Sequence, residues 1–138
     1  MRKAAPKTVA QAKRAVREAV EQWKRQLQLC DIELQVGWAP QDPQNVAEVE
    51  QDSSYLRASI NFDVGKLLTS EQDVEQVVVH ELAHLIAWPL WEEAQYMKQQ
   101  LEALGKWNEQ LDTRLHTAWE QVATKIERAL LRISSLAQ

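Results

Sequence analysis

Residues 77–86 read VVVHELAHLI, an apolar run broken by His80, Glu81 and His84. Three ionisable groups in such a run need an explanation, because a buried charge is costly unless it is paired or bound to a metal. On a helix, residues four apart stack on one face, so His80 and His84 would present two imidazoles to one ion. Glu81 would point to the neighbouring side of the same site. This is the H-E-x-x-H spacing, in which two neutral imidazoles hold zinc and the glutamate takes a proton from the attacking water. Three such fixed positions arise by chance on the order of once in a few hundred chains of this length, given ordinary residue usage. A dication would give the polar face of this helix its partner.

Working outward, the pattern predicts a helix over about 71–87, with Ser70 and Asp73 as a variant capping pair and a stop near Trp88–Pro89. Upstream, Leu56, Ala58, Ile60 and Phe62 alternate with polar residues in YLRASINF, the pattern of a half-buried strand. Ile32, Leu34, Val36 and Trp38 do the same in DIELQVGW, and VAEVE (46–50) is a short third candidate. Val9, Ala12, Val16, Ala19, Trp23, Leu27 and Cys30 alternate spacings of three and four, which predicts an amphipathic helix over 8–29 with Thr8 as its cap. Downstream, Ala94, Met97, Leu101, Leu104 and Leu111 predict one helix to about 112, with Gly105 either tolerated inside it or a break. Leu115, Trp119, Val122, Ile126, Leu130 and Ile133 predict another over 113–134. The order is an N-terminal helix, two or three strands, the histidine helix and two C-terminal helices, an α+β arrangement expected to form one domain over 1–138.

Composition narrows the possibilities. The 138 residues are 45% apolar and 26% charged, the balance of a globular protein. No run of about 18 apolar residues is present, so no membrane span is expected. The basic N-terminus lacks the apolar segment of a secretory signal. Cys30 is the only cysteine, so no intrachain disulfide is expected, and a reducing, cytoplasmic compartment fits. It is expected to be buried at the end of the first helix. Residues 1–29 hold eight Lys/Arg against two Asp/Glu, whereas the remainder holds eight against eighteen. The basic residues interleave with a regular apolar stripe, so a solvated helix face is expected rather than a nucleic-acid surface. Most of the six tryptophans are expected in the core. Three glycines leave little room for a phosphate-binding loop. The oligomeric state is not encoded in these patterns.

Catalytic zinc takes three protein ligands and leaves one position open. A third histidine in the longer form of the motif would need a glycine at position 87 and a histidine at 90, where Ala87 and Leu90 stand. The downstream candidates are Glu92, Glu93, Glu102, Glu109, Asp112, His116 and Glu120. Glu92 and Glu93 follow Pro89 too closely for their helix to have returned past the histidines. The 36 residues from His84 to Glu120 allow one helix out and a second back.

The segment EQVATKIERALL, with E-x-x-A opening an apolar helical pattern, resembles the third-ligand helix of the gluzincins. VVVHELAHLIAWPLW is similar to small phage and prophage zincin-like proteins. Over about 55–131 the chain thus resembles a minimal gluzincin, a zinc metallopeptidase of the H-E-x-x-H…E type. The likeness implies a zincin-like fold, a zinc site of His80, His84 and Glu120, and cleavage of a peptide or protein substrate. NEQLD at 108–112 also resembles the Asn-Glu and following Asp of thermolysin-like enzymes, with the aspartate one residue early, so Glu109 stays open as a ligand. Many gluzincin segments continue E-x-x-A-D; Thr124 stands there instead, so that supporting contact is missing or is made elsewhere. The resemblance also implies that YLRASINF is an edge strand lining the cleft, where an extended peptide would pair beside Arg57, Ser59 and Asn61.

In the implied mechanism Glu81 is the general base, and a donor besides zinc stabilises the tetrahedral oxyanion. His116, one turn before Glu120, is the candidate donor, with Tyr55 and Tyr96 behind it; a surface histidine is the competing reading of His116. The alternative function is a catalytically silent zincin-like module that uses its metal for stability or recognition. Retention of Glu81 argues against it, since a structural metal site has no use for a base.

Overall fold

The computed structural model describes residues 4–52 and 56–136. It is α+β, with five helices and one three-stranded sheet among those residues. In chain order these are α1 (Val9–Gln26), β1 (Glu33–Gly37), β2 (Ala47–Gln51), β3 (Arg57–Phe62), α2 (Val64–Thr69), α3 (Val74–Ile86), α4 (Trp88–Ala103) and α5 (Glu109–Leu136). Two compact units are distinguished, Met1–Leu82 and Ala83–Gln138. The division falls inside α3, so that one continuous helix carries residues of both.

In the first unit, α1 begins where Thr8 accepts a hydrogen bond from the Gln11 amide. Ala12, Val16, Val20 and Trp23 form its buried stripe. The helix ends earlier than the periodicity predicts, because Gln28 adopts a left-handed conformation with φ 56°. The Leu29 amide then bonds to the Lys24 carbonyl and the Gln28 amide to the Arg25 carbonyl, closing the helix in a Schellman motif. Cys30 therefore lies beyond the helix and is exposed, contrary to the buried position expected for it. Trp23 is 2% exposed, and its indole N–H donates to Glu75 at 2.9 Å, tying α1 to α3.

The sheet order is β1-β3-β2. β1 runs parallel to β3 and β2 antiparallel to it, so Val36, Ile60 and Val49 share a row across the sheet. Ala58, Ile60 and Phe62 of β3 are buried, as their alternation requires. This topology corrects one expectation: β3 is the central strand and both its edges are paired. It has no free edge on which a peptide could add. Arg57, Ser59 and Asn61 lie on its other face, with Arg57 3.3 Å from Glu33. The Asn61 side-chain amide lies over Gly37, so a Cβ at position 37 would require that side chain to turn aside.

Two helix starts also differ from expectation. GKLLTS, expected as a lead-in, forms most of α2, capped by Asp63. The cap of α3 is Asp73, whose carboxylate accepts from the Gln76 amide at 2.7 Å. Ser70 instead ends α2 and accepts from the Gln72 amide. Val77, Val78, Val79, Leu82, Ala83 and Leu85 are all buried, so α3 is apolar on more than one side.

In the second unit, Pro89 sits in the first turn of α4, where its missing N–H costs nothing. Gly105, at φ 67°, ends that helix. The Lys106 amide bonds to the Leu101 carbonyl and the Gly105 amide to the Glu102 carbonyl. Gly105 is thus the break, and the helix expected to run to 112 stops at Ala103. α5 then starts at Glu109 rather than 113, because the Asn108 side chain accepts from the Leu111 amide at 2.9 Å. Across this turn Lys98 of α4 and Asp112 of α5 meet at 2.6 Å, and the Trp107 indole N–H donates to the same carboxylate oxygen. Of the six tryptophans, only Trp23 is buried; the other five are half-buried, which corrects the expectation that most fill the core. Among the described residues, no helix is long and apolar enough to cross a membrane.

Candidate metal centre

One continuous helix positions His80, Glu81 and His84. Between Val74 and Ile86 nothing breaks α3, so the two imidazoles stand one turn apart, as their spacing requires. α5 supplies the third group. The His84 Nε2 atom lies 3.0 Å from Glu120 Oε1. His80, His84 and Glu120 each offer a ligand atom, and the three atoms lie within 4.8 Å of one another. A tetrahedral zinc with bonds of about 2.0–2.2 Å holds its ligand atoms roughly 3.3–3.6 Å apart, so small side-chain movements would close this group on an ion. Two nitrogens and one carboxylate also suit the donor preference of zinc.

The surroundings are uneven. The His84 side chain is 6% exposed while that of Glu120 is 60% exposed, so one of these two groups is buried and the other reaches solvent. A site with an accessible face can admit a water or a substrate; a closed structural site cannot. Glu81, 8% exposed, is buried beside the histidines but does not belong to the ligand group. One residue further along a helix turns about 100°, which separates it from the face that His80 and His84 share.

The other candidates are placed elsewhere. His116 is exposed one turn before Glu120, and its Nδ1 lies 2.9 Å from the Asp112 carbonyl oxygen and 3.6 Å from that residue's carboxylate. It is not brought into the ligand group. Asp112 is engaged by Lys98 and Trp107. Glu109 is exposed in the first turn of α5, and the Glu92 carboxylate accepts from the Trp88 indole N–H. Glu102 pairs with Lys98 at 3.8 Å. Tyr96 is exposed on α4. Tyr55 lies outside the described residues. Thr124, where the resemblance would have an aspartate, is half-buried on α5.

A group of aromatic rings abuts this centre. The His84 ring packs against Trp119 with centroids 4.8 Å apart and planes tilted by 33°. Trp119 in turn stacks on Trp91 at 4.8 Å and 26°, and Trp88 meets it edge-on at 6.3 Å. His116 stands edge-on to Trp91 at 5.4 Å. The sequence reading missed this role of the tryptophans. The available signal was local: Trp88 and Trp91 follow the histidine helix at once, and Trp119 immediately precedes Glu120.

Comparison of the chain with family models, with curated proteins and with solved structures returned no match.

Proposed function

We propose that this protein is a zinc-dependent peptidase with a zincin-like arrangement, in which His80, His84 and Glu120 hold the metal and Glu81 is the general base. The observation that carries the reading is the convergence of three ligand atoms from α3 and α5, 36 residues apart in sequence, with an unligating glutamate beside them. Zinc, when bound, lowers the pKa of water and polarises a carbonyl oxygen.

The chain's own residues supply the remainder. A peptide would approach from the side of Glu120, whose carboxylate is exposed while the His84 imidazole is buried. Glu81 accepts a proton from water as its oxygen bonds to the scissile carbonyl carbon. It then delivers that proton to the departing nitrogen as the C–N bond breaks. A neighbouring donor to the developing oxyanion would add to the rate. His116 is the imidazole one turn from Glu120, and serving there would require it to leave Asp112. The resemblance at VVVHELAHLI and at EQVATKIE supports this reading, as does the continuity of α3 through both histidines.

The expected composition is one zinc per chain, checked by metal analysis after purification without chelators. Glu81→Gln should keep that zinc and lose cleavage of a mixed peptide library, followed by mass spectrometry. Protein that purifies without zinc and fails to take it up would sink the metal site. Zinc-loaded wild type that leaves every peptide intact would shift the reading to a silent recognition module.

A further inference from the structure

We infer that Trp119 is a positioning residue for the metal centre: it holds the His84 imidazole in its ligating orientation, with Trp91 as the backing ring. The inference rests on the zinc reading above and goes beyond it. A metal-ligating imidazole needs its plane fixed, because rotation about the bond to the ring swings Nε2 off the metal. Commonly a carboxylate or carbonyl on the other ring nitrogen does this, and losing such a partner costs about 10- to 100-fold in metal affinity.

Here a face contact is available. Trp119 lies 4.8 Å from His84, within the range of offset aromatic pairs, and the 33° tilt is that of a partly stacked contact. Trp119 cannot easily turn away, since Trp91 stacks on it at 4.8 Å and Trp88 meets it edge-on. Its neighbour in sequence is Glu120, whose Oε1 reaches His84 Nε2. One turn of α5 therefore delivers both the third ligand and the ring that sets the second. Movement of this turn would displace both together, which couples the metal's grip to the docking of α5 on its aromatic neighbours.

The test uses the full chain and zinc alone. Affinity is measured by competition with a chromophoric chelator for wild type, Trp119→Ala, Trp119→Phe and Trp91→Ala. Each apo variant's fold is checked by circular dichroism. Trp119→Ala should bind zinc about 10- to 100-fold more weakly, while Trp119→Phe, which restores a ring face, should stay within about threefold of wild type. Trp91→Ala should fall between them. Cobalt substitution adds a spectroscopic reading: the visible bands of a tetrahedral site should be kept in Trp119→Phe and shifted or weakened in Trp119→Ala. Should the alanine variant fail to fold, Trp119→Leu fills the space without a ring and is expected to bind as weakly.

Unchanged zinc affinity in a folded Trp119→Ala or Trp119→Leu would overturn the inference and leave the metal site standing. A phenylalanine variant as weak as the alanine one would overturn it as well, since ring stacking would not be what matters. Wild type that binds no zinc would bring down the metal reading and this inference together.

Discussion

At the scale of single residues, the chemistry concentrates on side chains whose surroundings differ sharply. His84 is buried and Glu120 exposed, yet they meet at 3.0 Å. Removing the carboxylate leaves two imidazoles on one helix face, too few protein ligands for a catalytic zinc site. Glu120→Ala should therefore weaken zinc retention by more than the roughly 100-fold that loss of an outer partner can cost, read by chelator competition. Retention equal to wild type would move the third ligand to another acid. Gln28 is a different kind of special residue. A side chain at φ 56° carries a steric penalty of about 1–2 kcal/mol that glycine avoids. Gln28→Gly should raise unfolding stability by roughly 0.5–1 kcal/mol in urea titrations, and a loss would show that the glutamine side chain makes a compensating contact.

Elements were legible in proportion to how local their causes are. The stripe of α1 shows in the sequence because burial on one face imposes a 3.6-residue period. Its end did not, because the left-handed turn is made at Gln28 rather than at a glycine or asparagine. The two C-terminal helices show in the sequence, but their junction lies several residues earlier than the periodicity predicts. Gly105 and Asn108 explain the difference: one ends α4 in a left-handed turn and the other caps α5. The resemblance sets Asn108 in the pattern NEQLD beside a candidate ligand; in the structure it caps α5. Asn108→Ala should cost about 1 kcal/mol, as other cap deletions do, and Gly105→Ala a similar amount for its positive φ. Thermal unfolding of the two single variants checks both. The sheet was the least legible element. Alternation marks which residues face inward, but it says nothing of which strand lies between the other two. That choice depends on pairing between distant segments, and it leaves β3 without the free edge that the resemblance implies.

At the scale of the whole molecule, charge and metal should govern stability. Glu48 is pulled two ways: burial raises its pKa, but the backbone amides of Asp42 and Gln41, with the Asn45 side chain, outweigh it and leave the carboxyl below its ordinary value. The hydrogen bond from Lys98 likewise lowers Asp112, against partial desolvation, with Trp107 assisting. A carboxylate depressed in the folded state stabilises it above the unfolded pKa, and that contribution is lost as pH falls toward the folded one. Stability should therefore hold through neutral pH and decline below about pH 4, with Asp112→Asn flattening part of the decline. The same hydrogen bond raises Lys98, so its share persists below the ordinary lysine range and is lost only as pH climbs past it. Zinc should add to stability by mass action, about 2.7 kcal/mol at a free concentration one hundred times Kd. A melting temperature that falls on chelation and returns with zinc is the expected result; an unchanged one would mean that the folded chain does not bind it.

Residue order alone carries the local commitments: an amphipathic first helix, alternating strands, and a helix on which two histidines must share a face. Each follows from backbone periodicity, which acts over a few residues and leaves its mark in their order. The tertiary structure alone decided which strand is central, and it brought Glu120, the acid the resemblance implies, against His84. It also decided that Trp119 lies against that ring. Those outcomes depend on contacts between segments tens of residues apart, and no local period encodes them.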